Sequence, residues 1–254
     1  MKALMLAAGK GRRLGAGDDA PPKVLLRIAG QTLLARHLSI LAAAGIERLV
    51  MVVGYRHRDI EAELDRLGAR ARVELIHNPD YEKGSVVSLA CLADRLREGR
   101  DFLLMDGDVL YDRRLIDRLT RTRHANCFLM DRDFEPGAEP VKLCIQDGHI
   151  VDFHKRVRNA YDFAGESVGF FRFSGEFGRR LAARAEAYLA TGRREEWYEE
   201  AIRDLLMDSP AGTFGYEDVT GYPWLEIDFP EDLVRAEREV MPAIRAIEEA
   251  DYGH

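Results

Sequence analysis

Two glycines and two basic residues near the start of the chain have the types and the spacing of a phosphate-binding loop. Gly9 and Gly11 lie within LAAGKGRRL, residues 6–14, directly after an apolar stretch. Glycine lets a backbone approach a ligand closely and direct amide groups at phosphate oxygens. Arg13 and Lys23 would add fixed positive charge beside that loop. The segment therefore predicts a site that binds a polyphosphate.

Two other glycine-rich phosphate loops do not fit this segment. A Rossmann dinucleotide loop needs a third glycine where Leu14 stands, and a Walker A loop needs Ser or Thr after its lysine, where Gly11 follows Lys10. An ordinary glycine turn between a strand and a helix is the remaining non-functional interpretation. The accompanying Arg13 and Lys23 argue against that interpretation.

A second group of chemically capable residues is acidic. Asp106 and Asp108 follow an apolar stretch that predicts a buried strand, and Asp228 ends another apolar stretch. Open α/β sheets bind ligands at the carboxyl ends of their strands. We expect Asp106 and Asp108 to project to the same side, with Gly107 leaving space for a nucleotide. Oxygen ligands of this kind suit Mg²⁺ bridged to substrate phosphates.

Together these motifs resemble those of the nucleotidyltransferase (NTP transferase) family. The loop and the later Pro-Lys resemble the LxxGxGxR and PK signature of sugar-phosphate and phosphocholine enzymes, and Asp-x-Asp with the late Glu-Ile-Asp resembles phosphocholine and aminoethylphosphonate cytidylyltransferases. The resemblance implies that Asp108 and Asp228 ligate Mg²⁺ and that Asp106 does so through water. Two minor alternatives remain open, a glycosyltransferase and a non-catalytic nucleotide-binding module.

The resemblance also implies a reaction, the transfer of a nucleotidyl group from a nucleoside triphosphate to a phosphate acceptor with release of pyrophosphate. Arg13 would hold the β and γ phosphates, and Lys23 would neutralise charge between the α-phosphate and the acceptor. Lys155 matches the family's second lysine, which lies against the acceptor phosphate. The second pKa of a phosphate monoester is about 6, so the reaction needs cations and positioning rather than a strong base.

The base pocket is expected in the first loop and in the segment Asn78–Leu89. On the resemblance, the nucleotide-binding residues are Leu6, Ala7, Ala8, Gly9, Gly11, Arg13, Lys23, Gly84, Ser85, Ser88 and Asp106. The Ser-x-x-Ser-Leu ending of this segment favours the cytidylyltransferases and hence CTP, although UTP or another nucleotide stays open. Ser85 has a purely structural alternative as a helix cap.

The acceptor is predicted from aromatic and acidic residues in the second half of the chain. A quaternary ammonium favours aromatic faces together with a carboxylate. The expected acceptor-binding residues are Glu166, Trp197, Tyr198 and Glu226. A small amino-alcohol phosphate or phosphonate, such as phosphocholine or 2-aminoethylphosphonate, is therefore the first-ranked acceptor. Glu166 also matches the position where sugar enzymes bind a hydroxyl, so a sugar-1-phosphate or inositol-1-phosphate is the alternative.

Short apolar stretches alternating with amphipathic ones must position these residues. The pattern predicts one α/β domain over residues 1–254, Rossmann-like, with a mostly parallel sheet flanked by helices and an antiparallel excursion at 131–175. The predicted strands are 3–7, 48–53, 72–76, 102–105, 127–130, 141–145, 150–153, 167–173 and 224–228. The predicted helices are 33–44, 59–67, 85–96, 113–122, 176–190, 195–207 and one that begins at Pro230.

Composition argues against several classes of partner. The net charge of −7 argues against nucleic acid and acidic membranes as partners. No stretch approaches the 18 apolar residues of a membrane span, and the first eight residues are too short for a signal peptide. Cys91, Cys127 and Cys144 are too few and too far apart to indicate disulfides or zinc. We expect a cytoplasmic protein, either a monomer or a homodimer.

Overall fold

Strands and helices alternate along the chain in the computed structural model, which describes residues 1–15, 20–135, 137–157 and 159–252. The strands are β1 (Lys2–Ala7), β2 (Arg27–Ile28), β3 (Gln31–Thr32), β4 (Leu49–Val53), β5 (Val73–His77), β6 (Phe102–Asp106), β7 (Val109–Tyr111), β8 (Cys127–Asp131), β9 (Lys142–Gln146), β10 (His149–His154), β11 (Phe163–Phe173), β12 (Gly215–Asp218) and β13 (Trp224–Glu226). The helices are α1 (Leu33–Ala43), α2 (His57–Arg66), α3 (Ser85–Cys91), α4 (Ala93–Leu96), α5 (Arg114–Arg121), α6 (Gly175–Ala190), α7 (Tyr198–Met207), α8 (Pro230–Arg235) and α9 (Met241–Tyr252). Short 3₁₀ turns lie at Arg12–Leu14, Lys23–Leu25 and Arg70–Arg72, and a π-helical turn at Ala236–Val240 joins α8 to α9.

Nine strands of the described residues form the main sheet. Seven follow the order β10-β9-β11-β6-β1-β4-β5, and β8 and β12 extend the sheet from β11. The strands β6, β1, β4 and β5 are parallel, so their carboxyl ends lie along one edge. The long strand β11 runs antiparallel to β6, β8 and β9 and therefore brings its first half to that same edge. The predicted α/β architecture with an antiparallel excursion is confirmed.

Both faces of the parallel strands are covered, which explains their continuous apolar sequences. In β1, Leu4 and Leu6 belong to the apolar cluster that includes residues of α3, α6 and α7. Ala3 and Met5 alternate with them and belong to the cluster on the opposite face. Full burial of a Leu or Met side chain contributes about 1.5–3 kcal/mol. These two layers hold the strand ends that carry the candidate site.

The predicted elements differ from the structure mainly at their ends. The predicted helix 195–207 begins only at Tyr198, because Trp197 is extended. The predicted helix 85–96 is divided at Leu92 into α3 and α4. The predicted strand 224–228 ends at Glu226, so Asp228 lies in the turn before α8. Strands β2, β3, β7 and β12 were not predicted, because they are short or depend on distant pairing.

No helix within the described parts of the chain combines the length and the apolar character needed to cross a bilayer. This finding agrees with the sequence, in which no long apolar stretch occurs.

A buried ion pair joins the antiparallel excursion to α7. Asp152 in β10 is fully buried, and Arg203 Nε donates to its Oδ1 at 2.7 Å. Removal of Arg203 would leave the buried charge of Asp152 less well compensated. We expect Arg203→Met to lower the free energy of unfolding by about 3 kcal/mol, measured by urea denaturation. The double variant Arg203→Met/Asp152→Leu should regain most of this loss; equal loss in both variants would contradict the explanation.

Candidate active site

The loop after β1 combines an open backbone with a tight turn. A Cβ atom built on Gly9 would meet nothing within 4 Å, so a ligand can approach the backbone there. Gly11 has a φ of 64°, in the left-handed region that favours glycine, and Leu14 N–H donates to its carbonyl oxygen at 3.1 Å. A Cβ on Gly11 would lie 2.9 Å from Lys23 Cγ. The missing side chain at Gly11 therefore leaves the room that the stem of Lys23 occupies.

Lys23 lies between two of the predicted metal ligands. Its Nζ donates to Asp108 Oδ2 at 2.8 Å and to Asp228 Oδ1 at 2.5 Å. Burial alone would lower the pKa of Lys23, but the two carboxylates outweigh burial and raise it. Arg13 Nη1 donates to Asp228 Oδ2 at 2.7 Å. Burial raises the pKa of Asp228, but Lys23 and Arg13 lower it by more than burial raises it. The pKa therefore lies below its ordinary value, and the carboxylate is ionised.

A third carboxylate completes a group that could hold a metal ion. One carboxylate oxygen each from Asp108, Glu226 and Asp228 lies within 4.8 Å of the others. Strand β13 pairs with β7, so that Glu226 lies opposite Val109. Ile227 N–H donates to Asp108 carbonyl oxygen at 3.0 Å. This pairing brings the late Glu-Ile-Asp beside the Asp-x-Asp, although the segments are more than 100 residues apart in sequence.

Glu226 was predicted to bind the acceptor, and the structure also places its carboxyl group beside those of Asp108 and Asp228. Glu226 is exposed on the wall of the cleft, yet the protein atoms crowded around its carboxyl group and repulsion from the two nearby carboxylates both disfavour its charged form. Both effects raise the pKa of Glu226 to about 8. A divalent cation at this position would neutralise the Glu226 carboxylate. Carboxylate oxygens are hard donors of the kind that Mg²⁺ prefers.

Asp232 holds the backbone on which Asp228 stands. Its Oδ2 accepts from Asp228 N–H at 3.0 Å and from Phe229 N–H at 2.8 Å. Pro230 is the first residue of α8, as predicted, and a carboxylate in the first helical turn is also favoured by the helix dipole. The side chain of Asp228 is therefore presented from a turn that is fixed by hydrogen bonds.

His37 supports the Asp-x-Asp turn from beneath. It is buried in α1, with Nε2 3.1 Å from Gly107 carbonyl oxygen and Nδ1 3.2 Å from Tyr111 Oη. Burial lowers its pKa to about 4, so the ring is neutral at pH 7. Gly107 itself is pressed against β1, where a Cβ would lie 3.0 Å from Ala7 Cβ. Gly107 therefore packs closely against β1. It also lines the cavity beside the loop after β1, so the expectation that it leaves space for a nucleotide stays a prediction.

The cleft at the strand ends has three adjoining chambers. The loop chamber, of about 380 Å³, is lined by Leu6, Ala7, Gly9, Gly11, Arg12, Arg13, Lys23, Val24, Ser85, Gly107, Asp108 and Asp228. The middle chamber, of about 230 Å³, is lined by Leu6, Ala8, Gly9, Tyr81, Lys83, Ser85, Ser88, Asp106, Asp108, Tyr198, Glu199 and Glu226. The acidic chamber, of about 90 Å³, is lined by Asp106, Glu139, Val141, Phe153, Lys155, Glu166, Ser167, Gly169, Phe171, Tyr198, Glu199, Glu226 and Asp228. Because neighbouring chambers share several lining residues, they form one continuous cleft.

Carboxyl groups dominate the acidic chamber. Burial and Asp131 raise the pKa of Glu166 to about 7, and burial raises that of Glu199 to about 7. Burial and Asp108 raise the pKa of Asp106 as well, and Tyr198 Oη donates to Asp106 Oδ2 at 2.7 Å. Glu199 Oε2 is buried without a hydrogen-bond partner. A chamber of this kind attracts a cationic group.

Two of the predicted site residues lie elsewhere. Gly84 lines none of the three chambers, because a Cβ there would collide with the backbone of Glu195 and Glu196. Trp197 lies in a neighbouring surface groove, where Lys155 Nζ is 4.7 Å from the centre of its ring. Trp197 therefore does not line the acidic chamber, although its groove shares Glu139 and Lys155 with that chamber, and its role in acceptor binding stays a prediction.

The two serines of the predicted base pocket line the middle chamber and have structural roles as well. Ser85 Oγ accepts from Tyr198 N–H at 2.9 Å and does not cap its own helix. Ser88 Oγ accepts from Asn78 Nδ2 at 3.0 Å. Both serines therefore connect the wall of the chamber to neighbouring segments.

Comparison with protein families agrees with this geometry. Residues 3–203, more than half of the chain, match the MobA-like NTP transferase domain. The chain belongs to this family. The nucleotidyltransferase family predicted from the loop and the carboxylate motifs is confirmed.

Individual relatives of this NTP transferase domain differ in their named acceptors. The chain is 27% identical over 249 residues to the CMP-5'-(3-aminopropyl)phosphonate synthase of Streptomyces rubellomurinus. This match covers 95% of the chain and 39% of that protein. The chain is 30% identical over 243 residues to the bifunctional IPC transferase and DIPP synthase of Rubrobacter xylanophilus, covering 94% of this chain and 52% of that protein. The chain thus spans about half the length of these relatives or less.

A solved structure shares the fold of the NTP transferase domain. The inositol-1-phosphate CTP transferase from T. maritima superimposes with a TM-score of 0.77 at 23% identity, covering 98% of this chain and 96% of that one. This likeness extends over the parallel sheet and the antiparallel excursion, and it supports the fold alone.

Several residues of the NTP transferase domain that shape the site were not predicted. His37 occurs within the apolar stripe of a helix, and no local pattern distinguishes it from a core residue. Glu199 directly follows Tyr198, and no local pattern marks it as part of the site. Asp232 lies in the first turn of the helix that was predicted to begin at Pro230, and its hydrogen bonds to the preceding turn were not predicted.

Proposed function

We propose that the protein transfers a cytidylyl group from CTP to a small phosphonate or phosphate that carries an ammonium group, with release of pyrophosphate. The observation that carries this proposal is the junction of the loop chamber with the acidic chamber. The loop chamber supplies Arg13 and Lys23 for a triphosphate, and the acidic chamber supplies carboxylates for a cation. The names of relatives in the family support the choice of CTP.

In the proposed reaction an acceptor oxygen forms a bond to the α-phosphorus. The bond from that phosphorus to the bridging oxygen breaks, and the electron pair leaves with pyrophosphate. The main barrier is repulsion between anions, so fixed cations and alignment contribute most of the acceleration. Arg13 would bind the β and γ phosphates, Lys23 the α-phosphate, and Lys155 the acceptor phosphate.

Asp108, Glu226 and Asp228 are proposed to hold Mg²⁺. Three converging carboxylates match the oxygen ligands that Mg²⁺ prefers. When bound, the ion would polarise the α-phosphoryl group and neutralise developing charge. The residues of the chain would fix where it binds, because Asp232 and the pairing of β7 with β13 hold the turns that carry its ligands.

The acidic chamber favours an ammonium group over a neutral polyol as the acceptor's second group. Besides the proposed metal ligands, the chamber is lined by four carboxyl groups, those of Asp106, Glu139, Glu166 and Glu199, and by one basic residue, Lys155. The chamber volume of about 90 Å³ is small beside the roughly 300–1,000 Å³ of sites for drug-sized ligands. A primary ammonium, which can donate three hydrogen bonds to these carboxylates, suits this lining better than a quaternary ammonium does.

The test is pyrophosphate release with Mg²⁺, in which CTP, UTP, ATP, GTP and dTTP are crossed with five acceptors. These are 2-aminoethylphosphonate, phosphoethanolamine, phosphocholine, inositol-1-phosphate and glucose-1-phosphate. We expect the highest turnover with CTP and a primary-ammonium acceptor. Turnover confined to inositol-1-phosphate or glucose-1-phosphate would contradict the cationic acceptor.

The acceptor step should depend on pH through Glu166. Because its pKa is raised to about 7, this carboxyl is neutral below that pH and anionic above it. Only the anionic form attracts an ammonium, so kcat/KM for 2-aminoethylphosphonate should rise several-fold between pH 6 and 8. Glu166→Gln should flatten part of this rise, and Glu166→Gln/Glu199→Gln should flatten it further.

Comparison of variants with the same acceptor cancels the acceptor's own ionisation. Glu176→Gln, an exposed residue at the start of α6, should keep the wild-type profile. An unchanged profile in Glu166→Gln would remove Glu166 from acceptor binding.

A further inference from the structure

The ammonium group of Lys23 lies where a cation bound to Asp108 and Asp228 would have to lie. Lys23 Nζ contacts one oxygen of each carboxylate, at 2.8 and 2.5 Å. The side chains of Lys23, Asp108 and Asp228 are 15%, 21% and 25% exposed, so these contacts are partly shielded from solvent. A divalent cation in the same place would repel the ammonium at short range.

Positive and negative charges of the cleft are already paired with one another. Arg13 contacts Asp228 and Glu139, and Lys155 contacts Glu139. In this network the cations are Arg13, Lys23 and Lys155, and the anions are Asp108, Asp228 and Glu139. Arg13 and Lys23, two of the predicted phosphate-binding groups, are thus paired with Asp108 and Asp228, the predicted metal ligands.

We infer that Lys23 is a built-in counterion for the metal carboxylates, so that the protein binds the divalent cation and the triphosphate as one unit. The inference rests on the proposed function, because it takes the loop chamber as the triphosphate site. A metal ion arriving alone would have to displace Lys23 from both of its partners. A triphosphate arriving alone would draw Lys23 and Arg13 away and leave two carboxylates facing each other. When both arrive, the phosphates take the cations and the metal takes the carboxylates.

The energetics of partly buried ion pairs explain why binding of the two ligands should be coupled. Removal of one partner from a buried pair is strongly unfavourable, whereas exchange of partners avoids that penalty. Coupling between two ligands is reciprocal, and a typical factor is about 5- to 150-fold. The side chain of Lys23 has four methylene groups joined by rotatable bonds, and it lies against Gly11. Its ammonium group can therefore move from the carboxylates to a phosphate without movement of the strand ends.

The test uses Mn²⁺ as the probe ion, with free Mn²⁺ measured by electron paramagnetic resonance in the absence of nucleotide. We expect Lys23→Met to bind Mn²⁺ about 10- to 100-fold more tightly than the wild-type protein does. Lys23→Arg keeps a cation and should stay weak. Arg12→Met is the charge-matched control, because Arg12 is 69% exposed and contacts Glu82 rather than the metal carboxylates. Circular dichroism would verify that each variant is folded.

Two further measurements locate the effect. The double variant Lys23→Met/Asp108→Asn should lose the gained Mn²⁺ binding, which would assign that binding to this site. Calorimetric titration with CTP should show that Mn²⁺ strengthens nucleotide binding more in the wild type than in Lys23→Met. A larger coupling in Lys23→Met would contradict the inference.

The outcomes separate this inference from the proposed function. Equal Mn²⁺ affinity in wild type and Lys23→Met overturns the counterion role and leaves cytidylyl transfer standing. Absence of Mn²⁺ binding in both proteins overturns the counterion role together with the proposed metal centre. Tighter binding by Lys23→Met supports the counterion role even if none of the acceptors is turned over, and in that case the proposed acceptor chemistry alone fails.

Discussion

Asp108→Asn should lower pyrophosphate release by about 10³-fold, which corresponds to about 4 kcal/mol of transition-state stabilisation. The amide keeps the shape of the side chain but removes the charge that Lys23 contacts at 2.8 Å and that a divalent cation would need. The measurement is the steady-state rate with CTP, Mg²⁺ and 2-aminoethylphosphonate. Addition of EDTA to the wild-type protein should have an equally large effect.

The control for Asp108→Asn is Asp94→Asn, which makes the same change at an exposed position of α4. It should retain wild-type activity. Nearly full activity in Asp108→Asn would show that this carboxylate holds no catalytic metal. In that event the proposed metal centre would have to be abandoned, even though the three carboxylates converge.

Arg13→Gln should lower kcat/KM for CTP by about 10²-fold or more, because loss of a fixed cation weakens stabilisation of the departing pyrophosphate. The adjacent Arg12→Gln is a matched control in the same 3₁₀ turn. Arg12 contacts Glu82, whereas Arg13 contacts Asp228 and Glu139 within the charge network of the cleft. Arg12→Gln should therefore change kcat/KM by less than about 5-fold. Similar losses in both variants would indicate a general effect of loop charge rather than a specific role of Arg13.

Circular dichroism and thermal denaturation would be measured for Arg13→Gln and for Arg12→Gln alongside the kinetics. Its guanidinium lies 5.6 Å from the ring centre of Phe229, so the substitution removes a cation–π contact as well as ion pairs. The side chain is 44% exposed, and we expect a change in stability below about 1 kcal/mol. A small stability change with a large rate change would separate catalysis from folding.

The parts of the site that could be predicted from sequence are those encoded by neighbouring residues. The loop at 6–14 and the Asp-x-Asp after β6 are each contiguous, and apolar stretches identified the strands before them. The position of Glu226 beside Asp108 depends instead on the pairing of β13 with β7, which no local pattern encodes. The start of α7 at Tyr198 and the hydrogen bond from the Tyr198 hydroxyl to Asp106 depend on packing between segments that are distant in sequence.

Glycines illustrate the same limit. Gly84 was predicted to line the base pocket and Gly107 to leave space for a nucleotide, but a sequence gives no sign of what approaches a missing side chain. In the structure the neighbours are the backbone of residues 195–196 and strand β1, respectively. Gly9, by contrast, is open to the cleft as its motif predicted.

The link between Arg13, Lys23 and Asp228 has a consequence for the time course of folding. The two basic residues are 215 and 205 positions from that aspartate along the chain. Closing loops of this length is slow, since contacts between distant residues form late. During synthesis, the ribosome must release the segment around Asp228 before the basic loop acquires this partner. A nascent chain can therefore build most of its parallel sheet before Arg13 and Lys23 acquire this partner, and we expect the charge network of the cleft to form as one of the last events of folding.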